Sequence, residues 1–192
     1  MNKYSIIAFK IFNALLLIIL FFTFLKLFNR GFDYSDESYY ILSSIYPNDI
    51  ENFQTYFHFI NNILFKLSFE NLINFRISGL LVLVFSSLYF SNSFLKYNFD
   101  KQKLTIYNFY FKIICISSVI FYYFENLFTP SYNLINLSLI LIFFALFFEN
   151  LTENKFSYKN SLFFPFCYFL LCINKLTSGL ILTPFIIFFF TK

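Results

Sequence analysis

The chain has 192 residues, of which 59% are hydrophobic types and only 12% are charged, with a formal net charge of +4. A soluble domain of this size is about one quarter charged, so the composition excludes an ordinary water-soluble enzyme and assigns the chain to a bilayer. Its basic residues are scattered singly, with no stripe or patch, which excludes a nucleic-acid partner.

Taken in order, the first apolar run follows Lys3 and Lys10 and closes at Lys26-Leu27-Phe28-Asn29-Arg30. No small-residue cleavage site follows it, so residues 6–28 are expected to form an uncleaved first span. Lys10 snorkels to the headgroups. A polar stretch, 29–54, comes next. It contains the run Gly31-Phe32-Asp33-Tyr34-Ser35-Asp36-Glu37-Ser38-Tyr39-Tyr40, with three carboxylates inside five residues. Carboxylates beside a bilayer are costly unless water, a metal or a cationic group satisfies them. A short helix is expected over 36–46, capped by Asp33 or Ser35 and stopped by Pro47.

Residues 55–69 are apolar but interrupted by His58, Asn61, Asn62 and Lys66, which predicts an interfacial helix lying along the membrane instead of a span. Further spans are expected at 72–95, with Arg76 near its start, at 104–124, and at 132–148, which begins from the turn Thr129-Pro130-Ser131. Two short apolar runs, 162–173 and 176–190, flank Asn174-Lys175. Cys115, Cys167 and Cys172 sit inside apolar runs without zinc-ligand spacing and read as small apolar side chains. There is no soluble domain, heptad or repeat. The expected class is all-α, a polytopic transmembrane helical protein with a short outer-face juxtamembrane helix region after the first span. Residues 1–192 form a single integral membrane domain that reads as the N-terminal portion of a larger protein.

Charge sets the orientation, because cytoplasmic loops carry the excess of Lys and Arg. With 55–69 not crossing, Lys3, Lys10, Lys96, Lys101, Lys103, Lys155 and Lys159 fall inside. Asp33, Asp36, Glu37, Asp49, Glu51, Glu70 and Glu125 fall outside. The expected setting is a multi-pass protein of a bacterial inner membrane, with the acidic loop on the outer face.

Asp33-Tyr34-Ser35-Asp36-Glu37-Ser38-Tyr39-Tyr40 after a first span resembles the GT-C membrane glycosyltransferases. The likeness is to the family that includes protein O-mannosyltransferases and the bacterial aminoarabinose transferase of lipid A. The stretch 56–69, Asn74-Phe75-Arg76-Ile77-Ser78-Gly79-Leu80, Tyr132-Asn133 and Asn174-Lys175-Leu176-Thr177 are similar to features that follow in that family, in the same order. The chain departs from some members at Phe53-Gln54-Thr55, where they carry Lys-Pro-Pro, and at Asn133, where they carry Asp.

The resemblance implies transfer of a sugar from a polyprenyl-phosphate donor to a lipid, glycan or protein acceptor at the outer face. Asp36 matches the family's catalytic carboxylate, with Glu37 beside it. Asp33, Tyr40, Arg76, Asn133 and Lys175 are the implied substrate contacts. A divalent metal held by Asp33, Asp36 and Glu37 stays open, since hard cations take oxygen ligands. On a helix, residues 33, 36, 37 and 40 share one face, which aims Asp36, Glu37 and Tyr40 at a common pocket. The competing reading is structural: acidic residues in a first turn cap amides and favour the helix dipole. Arg30 and Lys66 read as snorkelling cations, and His58 as a headgroup-level aromatic ring. Two other functions compete. A transporter or flippase subunit needs charged or broken-helix sites at mid-membrane, where Lys112 is the one deep charge in the sequence. A truncated, non-catalytic fragment of the glycosyltransferase is the other.

Overall fold

The computed structural model describes residues 36–49, 55–98, 104–125, 128–152 and 158–191, together with positions 7, 8, 11, 12, 14, 15, 18, 19, 22, 23 and 26. Those early positions are helical, and the rest of the expected span at 6–28, with Arg30 and Asp33, lies outside the described residues. Every element bounded among the described residues is a helix: α1 (Asp36–Ile45), α2 (Phe57–Leu67), α3 (Leu72–Asn98), α4 (Leu104–Glu125), α5 (Tyr132–Thr152), α6 (Tyr158–Asn174) and α7 (Leu176–Thr191). Two of them, α3 and α5, are long and apolar enough to cross a membrane.

α3 and α5 form the centre of the bundle and run parallel. Gly79 of α3 lies against Pro130 and Leu134 at one end. At the other end, Tyr89 and Ser93 of α3 donate to the Glu149 carboxylate of α5, at 2.8 and 3.1 Å. Small residues on α3 that face α5, Gly79 and Ser93, let the two helices approach closely. α4 returns between them in sequence and packs on α3, where Val119 and Tyr123 join the same core as Leu83 and Phe143. α6 packs on α5 through the stacked pair Phe143–Phe164, whose rings are 4.6 Å apart.

α6 and α7 form a tight antiparallel hairpin pivoting at Lys175. Gly179 packs onto Cys172, where a Cβ would run into the sulfur and stand 3.2 Å from the Cα. One turn or so further out, the Tyr168 and Thr183 hydroxyls are 2.8 Å apart. Only a hairpin pairs positions so symmetrically about residue 175. Gly79 plays the same part in α3: a Cβ there would meet Pro130 Cγ at 2.8 Å.

α2 lies across one end of this bundle. Its Tyr56 N–H donates to Ile173 O at 3.1 Å. Asn61 Nδ2 donates to Pro130 O at 2.7 Å, and the Phe65 ring meets Phe75 edge-on at 5.3 Å. One face, Phe57, His58, Asn61 and Phe65, is thereby buried, while Phe59, Ile63 and Leu67 stay exposed. With 11 residues, α2 is about 16 Å long, half of a hydrocarbon core of about 30 Å. The turn into α3 places Phe69 and Glu70 in the left-handed region, at φ 57° and 55°. Asn71 then caps α3, its Oδ1 accepting from the N–H groups of Ile73 and Asn74 at 3.0 and 3.2 Å.

α1 docks beside α2 at the same end. Asp36 and Glu37 occupy its first turn, where they suit the helix dipole, and Pro47 follows its last turn. Asn62 of α2 donates to Ser44 O at 2.7 Å and ties the two short helices together.

Candidate functional site

Beneath α1 and α2, at the bundle end, opens a cavity of about 540 Å³. Its walls come from separate parts of the chain: Tyr39 and Tyr40 of α1, Phe57 of α2, Tyr132 opening α5, and Lys175 at the tip of the α6–α7 hairpin, with Thr55 and Thr177 at the edge. The aromatic walls touch one another. The Tyr40 ring stands 5.5 Å from Phe57, 5.6 Å from Tyr39 and 6.1 Å from Tyr132.

Lys175 is held in place from two directions. Its Nζ donates to Asn133 Oδ1 at 3.3 Å and sits 5.3 Å from the centre of the Tyr132 ring. The neighbouring Asn174, fully buried, donates to Tyr132 O at 2.9 Å and fixes the hairpin tip against the start of α5. An ammonium with one neutral oxygen partner and one ring face keeps donor capacity for an anion. The Tyr132-Asn133 and Asn174-Lys175 pairs, 42 residues apart in sequence, are therefore brought together.

The acidic pair separates. Asp36 is exposed on α1, one turn before Tyr40. Burial pushes the Tyr40 phenol up to about 12, with the Tyr132 hydroxyl and the Asp36 carboxylate adding to the effect, so Tyr40 is a neutral hydroxyl at physiological pH. Glu37 is fully buried and points the other way. Its Oε1 accepts from Arg76 Nη2 at 2.9 Å and Nε at 3.1 Å, and from the Thr129 hydroxyl. Arg76 is likewise fully buried. Glu37 and Arg76 thus face each other inside the protein, and neither lines the cavity. The common pocket expected for Asp36, Glu37 and Tyr40 does not form: Glu37 and Tyr40 are buried while Asp36 is exposed, and of the three only Tyr40 lines the cavity.

No family model, curated protein or solved structure matches this chain.

Among the described residues, no group of three or more His, Cys, Asp or Glu side chains gathers as a metal site. Asp33 lies outside them, and Asp36 and Glu37 diverge, so the oxygen ligands considered for a divalent cation do not converge from those two. His58, on the buried face of α2 among Tyr56, Phe57 and Phe59, has its imidazole pKa lowered by burial. Its ring packs as an aromatic within the α2 contact. Three residues of this region carried no functional signal in the sequence: Thr129 and Asn61, and the Tyr123 hydroxyl, which donates to Arg76 O at 2.7 Å and lies against Phe128 O. Thr129-Pro130-Ser131 was legible only as a turn. The Pro130 carbonyl and the Thr129 hydroxyl find partners 69 and 92 residues away, which no local pattern encodes.

Proposed function

We propose that this chain is a multi-pass membrane module of GT-C type, transferring a sugar from a polyprenyl-phosphate donor to an acceptor at the outer membrane face. The observation that carries the reading is the cavity at the α2-covered end, where Tyr40, Tyr132 and Lys175 converge; Asp36 stands outside its lining, one turn before Tyr40 on α1 and close enough to raise the Tyr40 pKa. Support for a membrane setting comes from α3 and α5, and from the exposed apolar faces of α6 and α7, such as Phe163, Phe166, Phe169, Leu180 and Ile181. A soluble protein rarely exposes so continuous an apolar surface. α2 then lies at headgroup level, and the loop containing Asp36 faces outward.

In this reading Asp36 takes the proton of the acceptor hydroxyl as its oxygen bonds to the anomeric carbon. The bond from that carbon to the phosphate oxygen breaks, and its electron pair leaves with the lipid phosphate. Lys175 meets the charge that develops on the phosphate, and Asn133 and the Tyr132 ring aim it. The tyrosine faces pack against the sugar ring. Tyr40, held neutral, donates to it without adding negative charge beside the donor. A transporter reading would use charge at mid-height in the bundle, where Lys112 lies within α4, whereas the cation at the cavity, Lys175, sits at the end of the bundle, against the first turn of α5.

The test is transfer of radiolabelled sugar from polyprenyl phosphate by the full-length protein in vesicles. Asp36→Asn should lower the rate by about 10²–10⁴-fold, with membrane insertion unchanged because the side chain is exposed. Lys175→Gln should raise the KM for the lipid donor. Transfer by folded Asp36→Asn at the wild-type rate refutes the assignment and leaves Asp36 as a helix-dipole residue.

A further inference from the structure

We infer that the Glu37–Arg76 ion pair is a positioning latch, which fixes the seat of α1 and thereby the tyrosine wall of the cavity. α1 has only 10 residues, too few to hold a helix without tertiary contacts. Its tyrosines face the cavity, where the described residues meet them through ring contacts. The directional anchors lie elsewhere. Glu37 reaches across to α3, where Arg76 meets Oε1 through two nitrogens, at 2.9 and 3.1 Å. Thr129, from the turn between α4 and α5, donates to the same oxygen. Tyr123 of α4 then binds the backbone carbonyl of Arg76 at 2.7 Å. All four residues are fully buried.

One carboxylate thus locks α1 to two other elements, α3 and the α4–α5 turn, and Tyr123 braces the Arg76 backbone from α4. That turn runs directly into Tyr132 and Asn133, which hold Lys175. The latch therefore sets both walls of the cavity at once, the α1 tyrosines on one side and the Tyr132–Lys175 corner on the other. Removing one partner of a buried pair strands a charge, whereas replacing both by apolar side chains of similar volume is close to neutral. This asymmetry separates a positioning pair from a chemically active one. Only the activity arm of the test rests on the glycosyl-transfer reading.

The test uses the full chain in detergent, with hydrogen exchange of the α1 amides measured against those of α5 in the same sample. Glu37→Leu should speed α1 exchange on the order of 10²–10³-fold and leave α5 protected. Unchanged α1 protection, or equal loss in α5, overturns the latch. The double variant Glu37→Leu/Arg76→Met should return α1 protection to within about tenfold of wild type, and sugar transfer with it. Restored protection with transfer still about 10²-fold down overturns the positioning role, because the charges are then needed in the chemistry. If the double variant does not insert, Thr129→Val decides. It keeps the shape, removes one hydrogen bond to Glu37 and should speed α1 exchange by about tenfold; no change counts against the latch. Absence of transfer by the wild type, with the exchange pattern as expected, ends the glycosyl-transfer reading and leaves the latch standing.

Discussion

Replacing Gly79 by alanine sets two known effects against each other. Gly79 is buried inside α3, seven residues from its start. In an unobstructed helix the change to alanine gains about 1 kcal/mol. Here the new Cβ meets Pro130 Cγ at 2.8 Å, Pro130 Cδ at 3.3 Å and Leu134 Cδ1 at 3.5 Å. Carbon pairs prefer about 3.5–4.0 Å, so the first contact is too short by most of an ångström. The proline ring has no rotamer to escape into, and Asn61 holds its carbonyl from the far side at 2.7 Å. Overpacking of this kind costs about 1–3 kcal/mol. The net effect should be destabilisation by about 1 kcal/mol, which lowers the melting temperature by about 2–4 °C for a chain of this length. Thermal unfolding of the detergent-solubilised chain reads it out. Pro130→Ala removes the two ring atoms in conflict, so the double variant should be more stable than the sum of the single changes by about 1–2 kcal/mol. A rise in melting temperature for Gly79→Ala, or strict additivity with Pro130→Ala, refutes the close approach between α3 and the α4–α5 turn.

Two further outcomes follow from local geometry. Asn71→Ala removes the side-chain oxygen that accepts from the Ile73 and Asn74 amides; it should cost about 1 kcal/mol, and Asn71→Asp should not, by the same unfolding measurement. The lowered pKa of His58 means that the unfolded chain binds its proton first. Stability should therefore fall as pH drops below the ordinary histidine value of 6.5, by at most about 1.4 kcal/mol per pH unit, until the folded-state value is reached. His58→Phe should flatten that part of the stability-against-pH curve, and an unchanged slope would place its origin in another group.

Sequence alone located the helices, because their boundaries are written locally. The expected starts at 36, 72, 104, 132 and 176 coincide with those of α1, α3, α4, α5 and α7. At three of them the residues suit the free amides of a first turn: Asp36 and Glu37 in α1, and Asn71 and Ser131 ahead of α3 and α5, whose side-chain oxygens accept from those amides. Helix ends were less legible. α3 continues to Asn98 and α5 to Thr152, past the expected 95 and 148. α6 begins at Tyr158 instead of 162. Apolar content marks where a hydrocarbon core would end, whereas the backbone continues its own hydrogen bonds until a breaker stops it. The composition also foretold an all-helical chain, and the interrupted stretch 55–69 foretold a short helix unlike its neighbours.

Tertiary structure alone decided the fate of each polar side chain. The sequence placed Asp36 and Glu37 side by side, yet adjacent residues on a helix point about 100° apart. Which of them turns inward depends on where Arg76 waits, 39 residues away. The same holds for Lys175 and Asn133, and for Asn61 and the Pro130 carbonyl. A local pattern reports that a residue is polar and lies near a span. It does not carry the position of a distant partner, and a buried charge or amide is assigned its role by that partner.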